Sequence, residues 1–163
     1  MSVLHGARQV VLVSCRGSAE ILGKKVEKDN IMALDWHMPT SFQPQMYAIS
    51  VGKQRFSAGM ISKSKCFAVN FMPAGMQKEI VLCGTNTGAR ADKFKLCSFS
   101  KLQCSTIDCP RIKEAIGYLE CEVVSEIETG DHIIFVAKVS KSELLQDKKR
   151  LYHVEGDMFT TTG

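Results

Sequence analysis

Two strand-forming segments joined by a tight turn place the strongest constraint on the fold of this chain. Residues 117–127 and 132–139 are rich in β-branched and aromatic residues, and Thr129-Gly130-Asp131 separates them. Glycine readily adopts the backbone conformations that short hairpin turns require. The pattern therefore predicts an antiparallel β-hairpin. Further strands are predicted at residues 9–15, 31–36, 45–51 and 65–71.

The helical patterns are short and lie between the predicted strands. Ser57 is a suitable N-cap for a helix over residues 57–64. Gly84 is suited to end a helix over residues 73–83. Shorter helical turns are predicted at residues 91–96 and 110–115, and a loop is predicted at residues 16–29.

The number of predicted strands favours a β-barrel. Six or seven strands with short helices between them can close, or nearly close, into a barrel that removes exposed sheet edges. A doubly wound α/β fold needs regular alternation and a glycine-rich first turn, and the sequence contains neither. The 163 residues suit a single domain with its own hydrophobic core.

Composition argues against several classes of function. The formal net charge is only +4, and the densest basic cluster, Lys148-Lys149-Arg150, is too short for a nucleic-acid tract. The seven cysteines form no CxxC pair, which argues against common zinc and iron–sulfur sites and favours free thiols. No apolar stretch approaches the roughly 20 residues of a membrane span, and the N-terminus lacks a signal-peptide pattern. We therefore expect a cytoplasmic protein without nucleic-acid or membrane partners.

The segment from Asn30 to Thr40 is the first candidate site. It carries the only tryptophan, Trp36, and it runs from an apolar strand to a break at Pro39. A strand that leads into a loop can hold a planar ligand, because the strand positions the ring and the loop backbone supplies polar contacts. The alternative is a core strand with a buried Trp36 followed by a simple turn.

Residues Gly52 to Ser57 form a candidate phosphate site, because they follow a predicted strand and open a predicted helix. Helix N-termini present unpaired N–H groups to anions, and Arg55 can bind two phosphate oxygens at once. The alternative is a capped surface helix beside a solvated Arg55. Lys93, after a polar loop, and His132, at the start of a strand, are further candidates. Each also has a structural interpretation, as an exposed lysine and as a histidine held by its turn.

Taken in order, these segments resemble one protein family. The chain is similar to the flavin-reductase-like FMN-binding split-barrel proteins, in particular the flavoredoxin-type group of prokaryotes. The resemblance covers most of the chain, with the motifs in the family's order and at its spacing. The matching motifs are Gln9–Ser14, Asn30–Trp36, Arg55–Ser57, Cys66–Asn70, Asp92–Phe94 and Gly130–Val139.

The resemblance implies a mainly β protein with short helices: an FMN-binding split β-barrel that forms a homodimer, with FMN near the subunit interface. It also implies which residues contact FMN. Asn30, Met32, Ala33 and Trp36 would line the flavin ring, His37, Met38 and Thr40 would continue that wall, Arg55 and Ser57 would meet the phosphate, and Lys93 and His132 would approach the phosphate or the polar edge of the ring.

Redox chemistry at bound FMN is the function that the resemblance implies. We expect an FMN-dependent oxidoreductase of the flavin reductase-like type, which takes hydride or electrons from NADH, NADPH or a redox protein partner. An FMN-binding electron carrier without an enzymatic reaction is the alternative, and the sequence has no independent nicotinamide fingerprint. A metal-binding protein that uses histidine and cysteine is a third interpretation, against which the scattered positions of these residues argue.

Overall fold

A seven-stranded antiparallel sheet forms the body of the protein in the computed structural model, which describes residues 6–162. The described strands are β1 (Arg8–Gln9), β2 (Val11–Ile21), β3 (Lys24–Leu34), β4 (His37–Phe42), β5 (Gln45–Gly52), β6 (Cys66–Phe71), β7 (Lys101–Gln103), β8 (Pro110–Ile112), β9 (Gly117–Thr129), β10 (His132–Leu144), β11 (Leu151–Glu155) and β12 (Met158–Thr161). The order in the main sheet is β3-β2-β6-β9-β10-β5-β4. Strands β1, β11 and β12 form a second sheet, and β7 and β8 form a third.

The helices are α1 (Phe56–Ser64), α2 (Gln77–Thr85) and α3 (Lys93–Leu96), and a 3₁₀ turn (Ala74–Met76) precedes α2. All three overlap segments where the sequence predicts helices. Their ends differ in two places. Arg55, rather than Ser57, is the N-cap of α1, and α2 continues through Gly84 to Thr85. Asp92 caps α3 because its side chain accepts a hydrogen bond from the Lys95 N–H at 3.2 Å.

Strand β2 supplies side chains to two hydrophobic cores. Successive residues of a strand point to opposite faces, so a strand that is buried on both sides is apolar throughout. Val11 and Val13 pack in a core with Ile61 of α1, while Leu12 packs in a second core with Ile80 of α2. This double burial explains the uninterrupted apolar run at the start of β2.

The predicted hairpin between β9 and β10 is present. His132 pairs with Thr129 across the turn, and Gly130 has a φ of +53°, a conformation that favours glycine. Strands β9 and β10 then pair along almost their whole length, with two register shifts that indicate bulges. The sequence pattern thus identifies both the strands and their partner correctly.

Three sequence-based predictions about local structure are wrong. Residues 16–29 do not form a loop, because β2 and β3 continue as a paired hairpin through this polar segment. Residues 110–115 do not begin with a helical turn, because Pro110 opens β8 and pairs with Gln103. The chain does not enter a loop at Pro39, which lies inside β4 at an edge of the sheet. Proline is tolerated on an edge strand, since it has no N–H to lose from the ladder.

Within residues 6–162, no helix is both long and apolar enough to cross a lipid bilayer.

Candidate functional site

A cavity of about 460 Å³ lies where the ends of β3 and β5 meet the N-terminus of α1 and the C-terminus of α2. This volume falls within the range of small-molecule and cofactor sites. Eight of the eleven residues that the sequence singles out line this one cavity, although they come from distant parts of the chain. They are Asn30, Met32, Ala33, Trp36, Arg55, Ser57, Lys93 and His132.

The N-terminus of α1 forms the cationic wall of the cavity. Arg55 has extended backbone angles (φ −72°, ψ 136°), and its N–H donates to the Gly52 carbonyl at 2.9 Å, so a tight turn delivers β5 into the helix. Within residues 6–162, the Arg55 guanidinium has neither a hydrogen-bond acceptor nor a carboxylate partner in the chain. The first N–H groups of a helix also lack acceptors within the helix. The arrangement therefore suits an anionic group such as a phosphate.

Asn30 joins β3 to α1 inside the cavity wall. Its side chain is only 1% exposed, and its Nδ2 donates to the Ser57 Oγ at 2.8 Å. Among the described residues, the Asn30 Oδ1 has no hydrogen-bond partner. A buried acceptor without a partner costs roughly 1–3 kcal/mol. The site therefore retains an unsatisfied polar group of the kind that a bound ligand can satisfy.

Gly88 allows the loop after α2 to close against Asn30. A Cβ atom at Gly88 would lie 2.2 Å from the Asn30 Oδ1, which is far inside van der Waals contact. Lys28 also holds this loop, since its Nζ donates to the Gly88 carbonyl oxygen. Position 88 thus requires glycine because of a close approach rather than because of a positive φ.

Trp36 and His132 form the aromatic side of the cavity. Their rings stack with centroids 4.9 Å apart and an interplanar angle of 27°. The His132 Nδ1 lies 2.7 Å from the exposed Asp131 Oδ1. The other ring nitrogen points toward Gly52, where a Cβ would lie 3.8 Å from the His132 Nε2 and 3.4 Å from the Arg55 Cγ. Both side chains therefore lie at van der Waals distance from the position of a Cβ at Gly52, which places His132 and Arg55 close to each other.

Lys93 reaches the cavity while capping the C-terminus of α2. Its side chain is 5% exposed, and its Nζ donates to the Cys83 carbonyl at 2.7 Å. Burial lowers the pKa of the Lys93 ammonium, and the neighbouring Arg55 contributes in the same direction. A cation at the carboxyl end of a helix is favoured by the helix dipole. Lys93 therefore has a structural partner as well as a place in the cavity wall.

Three of the singled-out residues do not line this cavity. After Trp36 the chain enters β4, which pairs antiparallel with β5, and the residues of β4 therefore lie away from this cavity. His37 and Met38 line a neighbouring cavity of about 650 Å³, and Trp36 borders both cavities. Thr40 is exposed on the edge strand.

His37 is held in one tautomer by two hydrogen bonds. Its Nε2 lies 2.9 Å from the Gln9 carbonyl oxygen, which can only accept, so this nitrogen carries the proton. Its Nδ1, 2.6 Å from the Tyr47 hydroxyl, is then the acceptor. Burial lowers the pKa of His37 and raises that of Tyr47 to about 12.

Sequence reasoning treated the polar loop before Lys93 as part of a candidate segment, but it named no residue of the wall that closes the cavity over α2. This wall comprises the C-terminal turn of α2 and the loop that follows. The sequence marks that loop as polar, and this composition was the available signal, but its place in the site depends on the packing of Gly88 against Asn30. The residues concerned are Cys83, Gly84, Thr85, Asn86, Thr87 and Gly88.

All seven cysteines are free and buried. Within residues 6–162, no three histidine, cysteine, aspartate or glutamate side chains come close enough together to hold a metal ion.

Solved structures share this fold. Flavoredoxin from Methanosarcina acetivorans superposes with a TM-score of 0.79 at 27% identity, covering 98% of this chain and 87% of that one. The NADH:FAD oxidoreductase SgcE6 of Streptomyces globisporus superposes with a TM-score of 0.81 at 22% identity, covering 96% of this chain and 87% of that one. The prediction of a mainly β split-barrel fold is confirmed.

Sequence comparisons identify the family. An uncharacterised protein of Archaeoglobus fulgidus is 36% identical over 114 residues, which is 70% of this chain. The match spans 64% of the length of that relative. The family model described as "Flavin reductase like domain" matches residues 4–162, almost the whole chain. The chain belongs to the flavin reductase-like family.

Proposed function

We propose that the protein binds FMN in the 460 Å³ cavity and works as an FMN-dependent oxidoreductase. One observation carries this proposal. Arg55 at the start of α1, whose guanidinium has no partner among the described residues, and the stacked pair Trp36–His132 border the same cavity. FMN combines a dianionic phosphate with a flat, largely apolar ring, and these two walls offer a counterpart for each part.

The phosphate would be held by Arg55 together with the first N–H groups of α1. Arginine presents a planar fork of donors that matches two phosphate oxygens, and the helix end adds donors at no cost in side-chain entropy. Ser57 adds a hydroxyl, although its Oγ already accepts from Asn30. A charged ligand group at this end would be only partly exposed to water, which strengthens each of these contacts.

The ring system would lie toward Trp36, with Met32 and Ala33 as apolar neighbours. Asn30, His132 and Lys93 would supply polar contacts at its edge. The positive charge of Lys93 would favour a negative charge on the ring. Bound FMN itself supplies the hydride and electron transfer, so no protein nucleophile is required.

The electron donor is proposed to be a reduced nicotinamide. The likeness to the superposed NADH:FAD oxidoreductase supports this donor, and because FAD is the flavin in that protein's name, the titration below compares FMN with FAD. The alternative function, an FMN-binding electron carrier that exchanges electrons with a redox protein, is supported by the likeness to flavoredoxin.

We further propose that the protein is a homodimer in which the partner helps to enclose the flavin. The 650 Å³ cavity on the outer side of β4 and β5 adjoins the flavin cavity at Trp36. It is lined by Pro39, Tyr47 and Ile134, and by Met38, whose side chain is 58% exposed. A two-fold dimer would cover this apolar surface. Light scattering on the flavin-loaded protein tests the dimer, and a monomer at micromolar concentration would contradict it.

Flavin titration and anaerobic reduction together test the proposed function. The purified protein is titrated with FMN, FAD and riboflavin, and binding is followed by the quenching of flavin fluorescence. We expect FMN to bind more tightly than riboflavin, because riboflavin lacks the phosphate that Arg55 would hold. The FMN-loaded protein is then mixed anaerobically with NADH or NADPH. Bleaching of the flavin absorbance supports the oxidoreductase, and FMN binding without bleaching supports the carrier. Equal affinities for FMN and riboflavin would contradict the phosphate site.

A further inference from the structure

Cys83 and Cys97 form a pair of thiols that the proposed flavin chemistry does not use. Their Sγ atoms lie 3.3 Å apart, and the two residues are 1% and 6% exposed. Cys83 belongs to the last turns of α2, and Cys97 is the C-cap of α3. A disulfide has its sulfurs about 2.05 Å apart, so closure requires an approach of roughly 1.2 Å.

Hydrogen bonds of Lys93 connect the two cysteines to the cavity. Its Nζ donates to the Cys83 carbonyl at 2.7 Å, and its own carbonyl accepts from the Cys97 N–H at 3.1 Å. The Lys93 side chain therefore holds the C-terminal turn of α2 against α3, and the hydrogen bond within α3 fixes the position of Cys97. Cys83 and Lys93 both line the 460 Å³ cavity. A change in the distance between the sulfurs would be transmitted to that wall.

We infer that Cys83 and Cys97 are a redox-active pair that hydrogen peroxide entering the cavity converts to a disulfide. The Cys83 sulfur attacks the O–O bond of the peroxide, which gives a sulfenic acid on Cys83 and one molecule of water. The Cys97 sulfur then attacks the Cys83 sulfur, which forms the S–S bond and releases a second water. In sum, the two thiols lose two protons and two electrons, and hydrogen peroxide is reduced to two waters.

The assignment of roles follows from position. Cys83 reacts first because it lines the cavity, whereas Cys97 does not line it and its thiol donates to the Glu79 carbonyl at 3.5 Å. Burial raises the pKa of both thiols, while the Lys93 ammonium acts to lower them. Lys93 is thus the cation available to stabilise a reacting thiolate. The source of peroxide rests on the proposed function, since reduced flavin yields it with dioxygen, but the disulfide chemistry does not.

Peptide mapping of the oxidised protein tests the inference. The flavin-free chain is treated with hydrogen peroxide, the remaining thiols are alkylated, and the protein is digested with trypsin without reduction. Cleavage after Lys78, Arg90, Lys95 and Lys101 separates the two cysteines into peptides 79–90 and 96–101. We expect these peptides to appear joined, two hydrogens lighter than their sum, and to separate on reduction. If both peptides carry only alkylated thiols after Cys66 has been oxidised, the inference is overturned.

Two variants and one control refine this test. Cys83→Ser and Cys97→Ser should each abolish the joined peptide. Cys66→Ser should retain it, because a hydroxyl can replace the thiol that contacts the Asp108 carbonyl at 3.7 Å. If peptide 96–101 is instead found joined to a peptide that carries another cysteine, the pairing is refuted, and the wild-type map decides the question if a variant does not fold.

A protection experiment connects the pair to the cavity. FMN at saturation should slow the alkylation of Cys83 by iodoacetamide severalfold and leave the rate at Cys66 unchanged. If the chain binds no FMN, the proposed function fails. The peroxide mapping of the flavin-free chain still decides whether Cys83 and Cys97 form a disulfide. If FMN binds and Cys83 is not protected, the route of the oxidant through the cavity is wrong.

Discussion

The indole of Trp36 stacks on the imidazole of His132 with ring centroids 4.9 Å apart, which joins the end of β3 to the start of β10 at the cavity. Trp36 is the only tryptophan in the chain, so its emission reports on this site alone. FMN bound in the cavity should quench that emission. The dissociation constant obtained from Trp36 should equal that obtained from flavin fluorescence. Unchanged emission at saturating FMN would place the flavin elsewhere.

Arg55→Ala should weaken FMN binding by about 1.5–3 kcal/mol, the usual contribution of a hydrogen bond to a charged group. The guanidinium has no partner within residues 6–162, so its removal leaves no new unpaired carboxylate. Lys53→Ala is the matched control, because Lys53 also carries a positive charge near the start of α1 but pairs with Glu128 at 2.8 Å. Equal losses in the two variants would indicate a general effect of charge and would remove Arg55 from the site.

Gly88→Ala should impair flavin binding through the shape of the cavity. The added Cβ would meet the Asn30 Oδ1 at 2.2 Å, so the loop or Asn30 has to move, at a cost of about 1–3 kcal/mol in stability. Gly59→Ala is the control, because Gly59 lies inside α1 with no atom within 4 Å of its added Cβ. Alanine there should stabilise the protein by up to about 1 kcal/mol. Thermal unfolding and FMN titration of both variants measure these effects.

Stability should fall as the pH drops below about 6.5, the ordinary pKa of histidine, because of His37. Burial lowers the pKa of His37 in the folded protein, so the unfolded chain binds a proton more readily. Protons therefore favour unfolding from the ordinary pKa down to the lower folded value, and the full stability is present above both. His37→Gln should flatten this part of the profile of unfolding free energy against pH. An unchanged profile between pH 7 and 5 would contradict the prediction.

Lys93→Met should destabilise the fold by about 1–3 kcal/mol, because the Cys83 carbonyl loses a charged donor in a buried setting. Lys95→Met, on the exposed side of α3, should have little effect and serves as the control. Urea unfolding of both variants measures the difference. Equal stabilities would show that Lys93 does not cap α2 in solution.

Lys93→Met also tests whether this charge tunes a bound flavin. Removal of a cation near the ring should lower the midpoint potential, and a two-electron shift of about 30 mV corresponds to about 1.4 kcal/mol. His132→Gln provides the comparison on the opposite wall. A lower affinity with an unaltered potential would place Lys93 near the phosphate instead of the ring.

The parts of the fold that sequence predicts are those determined by local pattern. The β9–β10 hairpin follows from strand-forming residues on both sides of Gly130, and α1 follows from a helical pattern after a polar turn. The extension of β2 and β3 into a long hairpin cannot be predicted from local pattern, because its strands carry charges on exposed positions. Arg16 and Asp29 form an ion pair at 2.8 Å, and they become neighbours only in the register that pairs the two strands.

The site residues also divide into those that local sequence pattern identifies and those that only tertiary packing places. Trp36 lies just after β3, and Arg55 and Ser57 lie at the start of α1, and sequence motifs identify the ends of such elements. The placement of His37 and Met38 depends on whether the chain loops or forms an edge strand at Pro39, and proline is compatible with both. The contribution of Gly88 depends on a contact with a side chain 58 positions earlier, which no local pattern contains.

The position of strand β2 between two cores has a consequence for how the protein unfolds. Val11 and Leu12 are adjacent in the chain but belong to different cores, and the same strand pairs with both β3 and β6. Loss of order in β2 would therefore open the interior beneath α1 and the interior beneath α2 in one event. We expect a single cooperative melting transition, with the β2 amides among the slowest in the chain to exchange their hydrogens.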